Sequence, residues 1–356
     1  MDSSSMVTNK MGRASSWALG IVILTVAVTF YWSFARGKSR HPEAMRRDFF
    51  DADQSSAVFN SVKERSRWQA RIKETGAPYA YGEFKEVYLS TLPFEKQHLA
   101  LHVFGETLYE VEGDRGLAVC DSAFLFGCYH GFFTRAISER TLEAVGALDR
   151  VCKDLGSPAD ATACEHGIGH GILEYLGHER FEEALLACAR APQRDTLYGC
   201  TAGVFMEYNM PVVVTPASVA LRFRELDPSR PYDPCPSLPE RFRESCYHEL
   251  VQWWDEVFKR DYRKIGLLCD GLMAVKEREA CLRGIGNVVA PSSGYDAEET
   301  VRRCRFLPRV QATSFCLAGA SRSFSAFAPK RILAPRLCEE LEVREATRCL
   351  RDLKGL

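Results

Sequence analysis

The chain has 356 residues, 46% of them hydrophobic, and 46 Lys and Arg stand against 47 Asp and Glu for a formal charge of −1. That balance excludes a basic protein that coats nucleic acid, so no nucleic-acid partner is expected. Ordinary Gly and Pro counts exclude a collagen-like or wholly disordered chain. The unusual quantity is the 14 cysteines, an even number.

Residues 1–16 form a short N-terminal tail. Residues 17–35 (WALGIVILTVAVTFYWSFA) carry no charge, and at about 1.5 Å per helical residue they match the ~30 Å bilayer core. Tyr31 and Trp32 stand where an interfacial aromatic anchor belongs. The apolar run exceeds the usual signal-peptide core of about 7–15 residues, and Trp32 and Phe34 spoil a small-residue cleavage site. The segment therefore reads as a transmembrane signal anchor with the lipid bilayer as partner, a cleaved signal peptide being the alternative. Lys10 and Arg13 precede it, whereas Arg36, Lys38, Arg40, Arg46 and Arg47 follow it. The positive-inside bias alone would leave the large domain in the cytoplasm. The cysteines argue the reverse, and they carry more weight.

Residues 36–60 are a juxtamembrane linker, and residues 61–118 a cysteine-free helical cap or an extra unstapled repeat. Helices are expected over about 57–74 and 93–109. Residues 119–356 hold all the cysteines, which fall into seven neighbouring pairs: Cys120/Cys128, Cys152/Cys164, Cys188/Cys200, Cys235/Cys246, Cys269/Cys281, Cys304/Cys316 and Cys338/Cys349. First members recur at intervals of 32, 36, 47, 34, 35 and 34, a period typical of two-helix solenoid units. Around the pairs, apolar residues follow helical spacing, as at Phe181, Ala184, Leu185 and Cys188. One cysteine closes a helix, a short turn follows, and its partner opens the next helix. The seven pairs are thus expected to be disulfides. No C-x-x-C zinc spacing occurs. Each bridge would close a loop of about a dozen residues, worth roughly 3 kcal/mol in the chain-entropy model. Disulfide-rich usage implies an oxidising compartment, so the C-terminal domain is expected on the exocytoplasmic side: periplasm, secretory lumen or cell exterior.

The expected fold class is all-α: about seven disulfide-stapled two-helix repeats, a solenoid or closed ring, behind one N-terminal transmembrane helix. In architecture alone this resembles the disulfide-stapled Sel1-like helical-repeat proteins. Their cysteine spacing and consensus differ, so the resemblance implies neither function nor residue roles. A Pro-rich insertion at 210–239 holds seven of the 16 prolines and reads as a loop or lid over one face.

Aligning the second cysteines reveals a motif: Cys128-Tyr-His130-Gly131, Cys164-Glu-His166-Gly167, Cys200-Thr-Ala202-Gly203, Cys246-Tyr-His248-Glu249, Cys281-Leu-Arg283-Gly284 and Cys316-Leu-Ala318-Gly319. The glycine shares the cysteine's side of the helix and is expected to let the disulfide partner helix approach closely. Two residues after the cysteine the side chain points off the stapled face. His130, His166 and His248 occupy that column, His170 follows His166 at i+4, and His98 and His102 form another i, i+4 pair.

Six of eight histidines can therefore converge: His98, His102, His130, His166, His170 and His248, while His41 and His178 stand apart. Imidazole is a common ligand for Zn, Cu and Fe, so the expected cofactor is a divalent transition metal of that group. Glu174, Glu207 and Glu249 are candidate catalytic acids or bases, with Glu106 near the same face. Arg283, Asn287 and Arg322 replace histidine in the later units and are candidate ligands for an anionic substrate. Trp253, Trp254, Phe205 and Tyr208 either line the groove or belong to the core. Each feature has a plainer explanation: an HxxxH pair is often incidental, and a charged stripe often only a solvated face. Against that stand the three glycines of HGIGHG, which cost about 1 kcal/mol each relative to Ala in a helix. No H-E-x-x-H, Walker, dinucleotide, G-x-S-x-G or kinase signature is present. The expectation is a membrane-anchored metal-dependent hydrolase or oxidoreductase. The alternative is a non-enzymatic scaffold that binds a protein on its concave face.

Overall fold

The structure, a computed structural model, describes residues 61–354 apart from 92–93, 122, 192–196, 215–218 and 222–223. The anchor expected at 17–35, the linker at 36–60 and His41 lie outside the described residues. Among the described residues no helix is long and apolar enough to cross a membrane.

Fifteen α-helices are described: α1 Ser61–Thr75, α2 Ala77–Thr91, α3 Phe94–Glu112, α4 Gly127–Arg140, α5 Val145–Lys153, α6 Pro158–Leu176, α7 Phe181–Ala187, α8 Cys200–Asn209, α9 Glu240–Val257, α10 Tyr262–Asp270, α11 Val275–Ser292, α12 Ala297–Cys304, α13 Val310–Ala326, α14 Ala334–Glu339 and α15 Val343–Lys354. Local chemistry sets several ends. Helix α6 starts where the Ser157 hydroxyl accepts from the Asp160 amide and Pro158 takes the first turn, and it stops at Gly177 with φ 83°. Asp261 and Asp296 cap α10 and α12 by accepting from the Lys264 and Glu299 amides at 3.0 and 2.8 Å. On α5, Val145, Leu148 and Cys152 form one buried stripe.

Seven of these helices form an inner row in which each packs on the next, in the order α3, α4, α6, α8, α9, α11 and α13. The short helices α5, α7, α10, α12, α14 and α15 lie against this row. All seven disulfides join the expected neighbours, with Cα separations of 5.4–5.7 Å. One detail differs from expectation. Cys164, Cys246, Cys281, Cys316 and Cys349 are each the seventh residue of their helix, not its opening residue. An antiparallel return needs nearly two turns of the second helix to come level with the end of the first, which accounts for the 11- and 12-residue separations.

The glycine column also faces elsewhere than expected. A Cβ on Gly131 would stand 1.8 Å from the His102 carbonyl oxygen, on Gly203 1.9 Å from that of His166, and on Gly319 2.0 Å from that of Arg283. Those oxygens belong to the preceding inner helix, not to the disulfide partner. The contact is reciprocal: Gly105, Gly169 and Gly286 meet the Cys128, Cys200 and Cys316 carbonyl oxygens at 2.2, 2.0 and 1.9 Å. The interlocks bring the backbones of α3 and α4, α6 and α8, and α11 and α13 together.

At the N-terminal end α1 and α2 cover α3, and Trp68, Phe84, Tyr88 and Phe104 form a buried aromatic core there. Glu64 accepts hydrogen bonds from Trp68 Nε1 and Tyr88 Oη at 3.1 and 2.5 Å. The insertion holds a two-stranded antiparallel ribbon, β1 Val212–Val214 and β2 Val219–Leu221, with Val212 opposite Leu221. Strand β2 packs on α3. Trp253 and Trp254 donate to the Arg224 and Pro231 carbonyls at 2.9 and 3.1 Å. Both indoles and Phe205 are buried, so these aromatics are core, and Tyr208 stacks on Phe181.

Candidate metal centre

A cavity of about 460 Å³ is lined by residues from α3 through α15, among them His98, His130, His166 and His170. Helix α3 supplies His98 and His102 one turn apart, α4 supplies His130, and α6 supplies His166 and His170. The glycine contacts draw α3 to α4, and a Cβ on Gly167 of α6 would meet the Tyr129 carbonyl oxygen of α4 at 2.8 Å. Five imidazoles thus meet. His98, His102 and His130 form one group and His130, His166 and His170 another, the nitrogens within each lying within 4.8 Å of one another.

Individual contacts are closer. His98 and His102 face each other through Nε2 at 3.2 Å, and His102 Nε2 lies 3.2 Å from His130 Nδ1. His166 and His170 face each other through Nε2 at 3.3 Å. Four nitrogens at about 2.0–2.1 Å from a tetrahedral ion would stand about 3.3 Å apart, so these separations suit one ion per group. The outer nitrogens are held from behind. His98 Nδ1 meets the Phe124 carbonyl oxygen at 2.6 Å, His166 Nδ1 the Tyr198 carbonyl oxygen at 3.1 Å, and His170 Nδ1 the Glu207 carboxylate at 3.0 Å. A carbonyl or carboxylate only accepts, so each of these Nδ1 atoms donates and each Nε2 presents its electron pair. Donation of the far ring nitrogen to such an acceptor is the usual support of a metal-bound histidine. The Nε2 of His130 is buried and has no hydrogen-bond partner.

Burial keeps these rings neutral. It pushes His98 down to about 4, and it holds His102, His130, His166 and His170 below the ordinary imidazole range. Neighbouring histidines push in the same direction on each of the five rings. Neutral imidazole is the form that binds a metal.

The sixth histidine lies outside both groups. His248 is fully buried, its Nδ1 meets Glu249 at 2.8 Å, its Nε2 has no partner, and its ring packs edge-on to Tyr198. Of the acidic candidates, Glu249 lines the cavity and also accepts from Gln252. Glu207 is buried behind His170. Glu174 is not among the residues that line the cavity; it accepts from the Thr134 hydroxyl at 2.7 Å, and desolvation pushes its carboxyl up to about 7. Glu106 pairs with Arg65. Asn287 and Arg322 line the cavity, with the Arg322 guanidinium 4.0 Å over Tyr198. Arg283 does not; its guanidinium lies over the Phe315 ring. His178 stacks near Tyr208, apart from the cluster.

The column that lines the cavity most regularly is therefore six residues after the second cysteine: His170, Met206, Gln252, Asn287 and Arg322. The column at two residues reaches it only through His130 and His166. Sequence reasoning missed Met206, whose sulfur lies 3.4 Å from His166 Nε2. Its signal was available, because Ala202 and Met206 repeat the i, i+4 register of His166 and His170. No protein-family model matches the chain, and no characterised protein or solved structure matches it either.

Proposed function

We propose that this is a membrane-anchored, exocytoplasmic protein whose curved array of disulfide-stapled helical repeats holds a divalent transition metal on the histidines of its concave face. It serves there as a metal-dependent hydrolase or oxidoreductase for a small anionic substrate. One observation carries the metal: the Nε2 electron pairs of His166 and His170 face each other at 3.3 Å while both Nδ1 atoms are committed to acceptors. Two electron pairs at that distance, one on buried His170 and one on half-buried His166, repel unless a cation lies between them. A cavity of about 460 Å³ beside the ligands supports an enzyme over a closed structural site. Asn287 and Arg322 in its lining suit a carboxylate or phosphate, and Glu249 is the acidic candidate that also lines it. A bound metal would supply Lewis acidity or redox chemistry, and the chain's own residues would orient the substrate and exchange protons.

Metal analysis of the purified full-length protein tests this. Stoichiometric Zn, Cu or Fe is expected, and it should fall to background in a His98→Ala/His166→Ala variant. A metal-free protein whose histidine variants keep full stability would leave the scaffold reading in its place.

A further inference from the structure

We propose that the cavity-side half of the cluster is a soft-metal position that prefers copper in its cuprous state, with Met206 as a thioether ligand beside His166 and His170. This rests on the metal-binding reading above and adds to it the metal's identity and one ligand. Two further electron-pair donors stand beside His166 Nε2, and none of the three has a proton to share while the rings are neutral. His166 Nδ1 donates to Tyr198 O and His170 Nδ1 to Glu207, so both Nε2 atoms carry lone pairs. A thioether sulfur has no proton at all. Yet His166 Nε2 lies 3.3 Å from His170 Nε2 and 3.4 Å from Met206 Sδ. Metal–nitrogen bonds of about 2.0–2.1 Å and a metal–sulfur bond of about 2.3 Å give tetrahedral edges of about 3.3 and 3.5 Å.

The other group differs. A proton on His102 Nε2 can be donated to the His98 electron pair, so a hydrogen bond accounts for that 3.2 Å contact without an ion. The pair on α6, with Met206 on α8, has no such solution while both rings are neutral.

Donor softness and charge then choose the ion. Thioether ligands select Cu(I), whereas Zn²⁺ takes imidazole, thiolate and carboxylate. Two neutral imidazoles and a thioether contribute no charge, so a divalent ion would be less well compensated by its ligands than a monovalent one. The one carboxylate hydrogen-bonded to these ligands, Glu207 behind His170, matches a monovalent ion. His166, His170 and Met206 all line the cavity, and Met210 lies farther along the same wall. The position is therefore open to exchange from the cavity.

The test uses the full chain in detergent with its disulfides intact and ascorbate, not a thiol, as reductant. Cu(I) is titrated in competition with bicinchoninate, and Zn²⁺ with a zinc-sensitive dye. Met206→Leu, which keeps volume and apolarity, is expected to weaken Cu(I) binding by roughly tenfold or more and to leave Zn²⁺ binding unchanged. X-ray absorption on the Cu(I)-loaded wild-type protein should show a sulfur neighbour that the variant lacks. Equal Cu(I) affinity in both proteins, or a copper environment of nitrogen alone, would overturn the inference while leaving the histidine site standing. A wild-type protein that takes up neither metal would overturn both.

Discussion

At the scale of single residues, the centre is a problem of proton placement. Five neutral imidazoles share a few ångströms, and the acceptors behind three of them dictate which nitrogen is bare. The consequence for pH can be worked out for protein stripped of metal. The folded-state values lie below the ordinary value of 6.5, with His98 near 4. Above about pH 6.5 folded and unfolded chains are both neutral at these sites, and the histidines add no pH dependence. Below it the unfolded chain binds protons that the folded chain refuses, so stability falls as pH drops from about 6.5 toward 4. His98 alone, lowered from 6.5 to about 4, would contribute on the order of 3 kcal/mol, and the other four rings act in the same direction. Urea titrations of the apoprotein across that range should show it, and bound metal should shift the loss to lower pH. A flat profile would mean that the rings are not buried as described.

At the scale of helices, the histidines meet because backbones meet. The Cβ absent from Gly203 leaves room for the His166 carbonyl, and the one absent from Gly131 for that of His102. Gly203→Ala puts a methyl 1.9 Å from that backbone oxygen, so α6 and α8 must separate. The expected loss is about 1–3 kcal/mol, as for overpacking in a close-packed core, with weaker metal retention. Gly82 lies in α2, where a Cβ would meet nothing within 4 Å, so Gly82→Ala should gain up to about 1 kcal/mol from helix propensity. Thermal and chemical denaturation of the two variants side by side would check both signs. Much of this level is legible in the sequence. The cysteine spacing carries the pairing, and the Cys-x-x-Gly register carries the small residue. The face is not legible, because a glycine's position on a helix does not say which of two neighbouring helices approaches it.

At the scale of the whole molecule, seven local disulfides staple neighbouring segments, while packing between the inner helices joins the described residues into one compact unit. Each bridge spans 8 to 12 residues, so the bridges pin neighbouring segments and leave the packing of one inner helix on the next to the core. Their density supports an oxidising compartment, against the charge bias flanking residues 17–35. We accordingly expect protease added to intact cells to digest the C-terminal domain, or to do so once an outer membrane is permeabilised. Digestion only after full lysis would place the domain in the cytoplasm and remove the basis for native disulfides.

What the sequence determined by itself was local: helix, turn and cysteine pairing follow from interactions between residues about a dozen apart, and these leave a period. It also marked His98, His102, His130, His166 and His170 by register alone. Only the tertiary structure decided which register positions share a cavity. That depends on the angles at which helices cross, set by glycine contacts and core packing between segments some 35 residues apart. For this reason register alone groups His248 and Arg283 with the site, although neither lines the cavity. It passes over Met206, whose sulfur stands 3.4 Å from the bare nitrogen of His166.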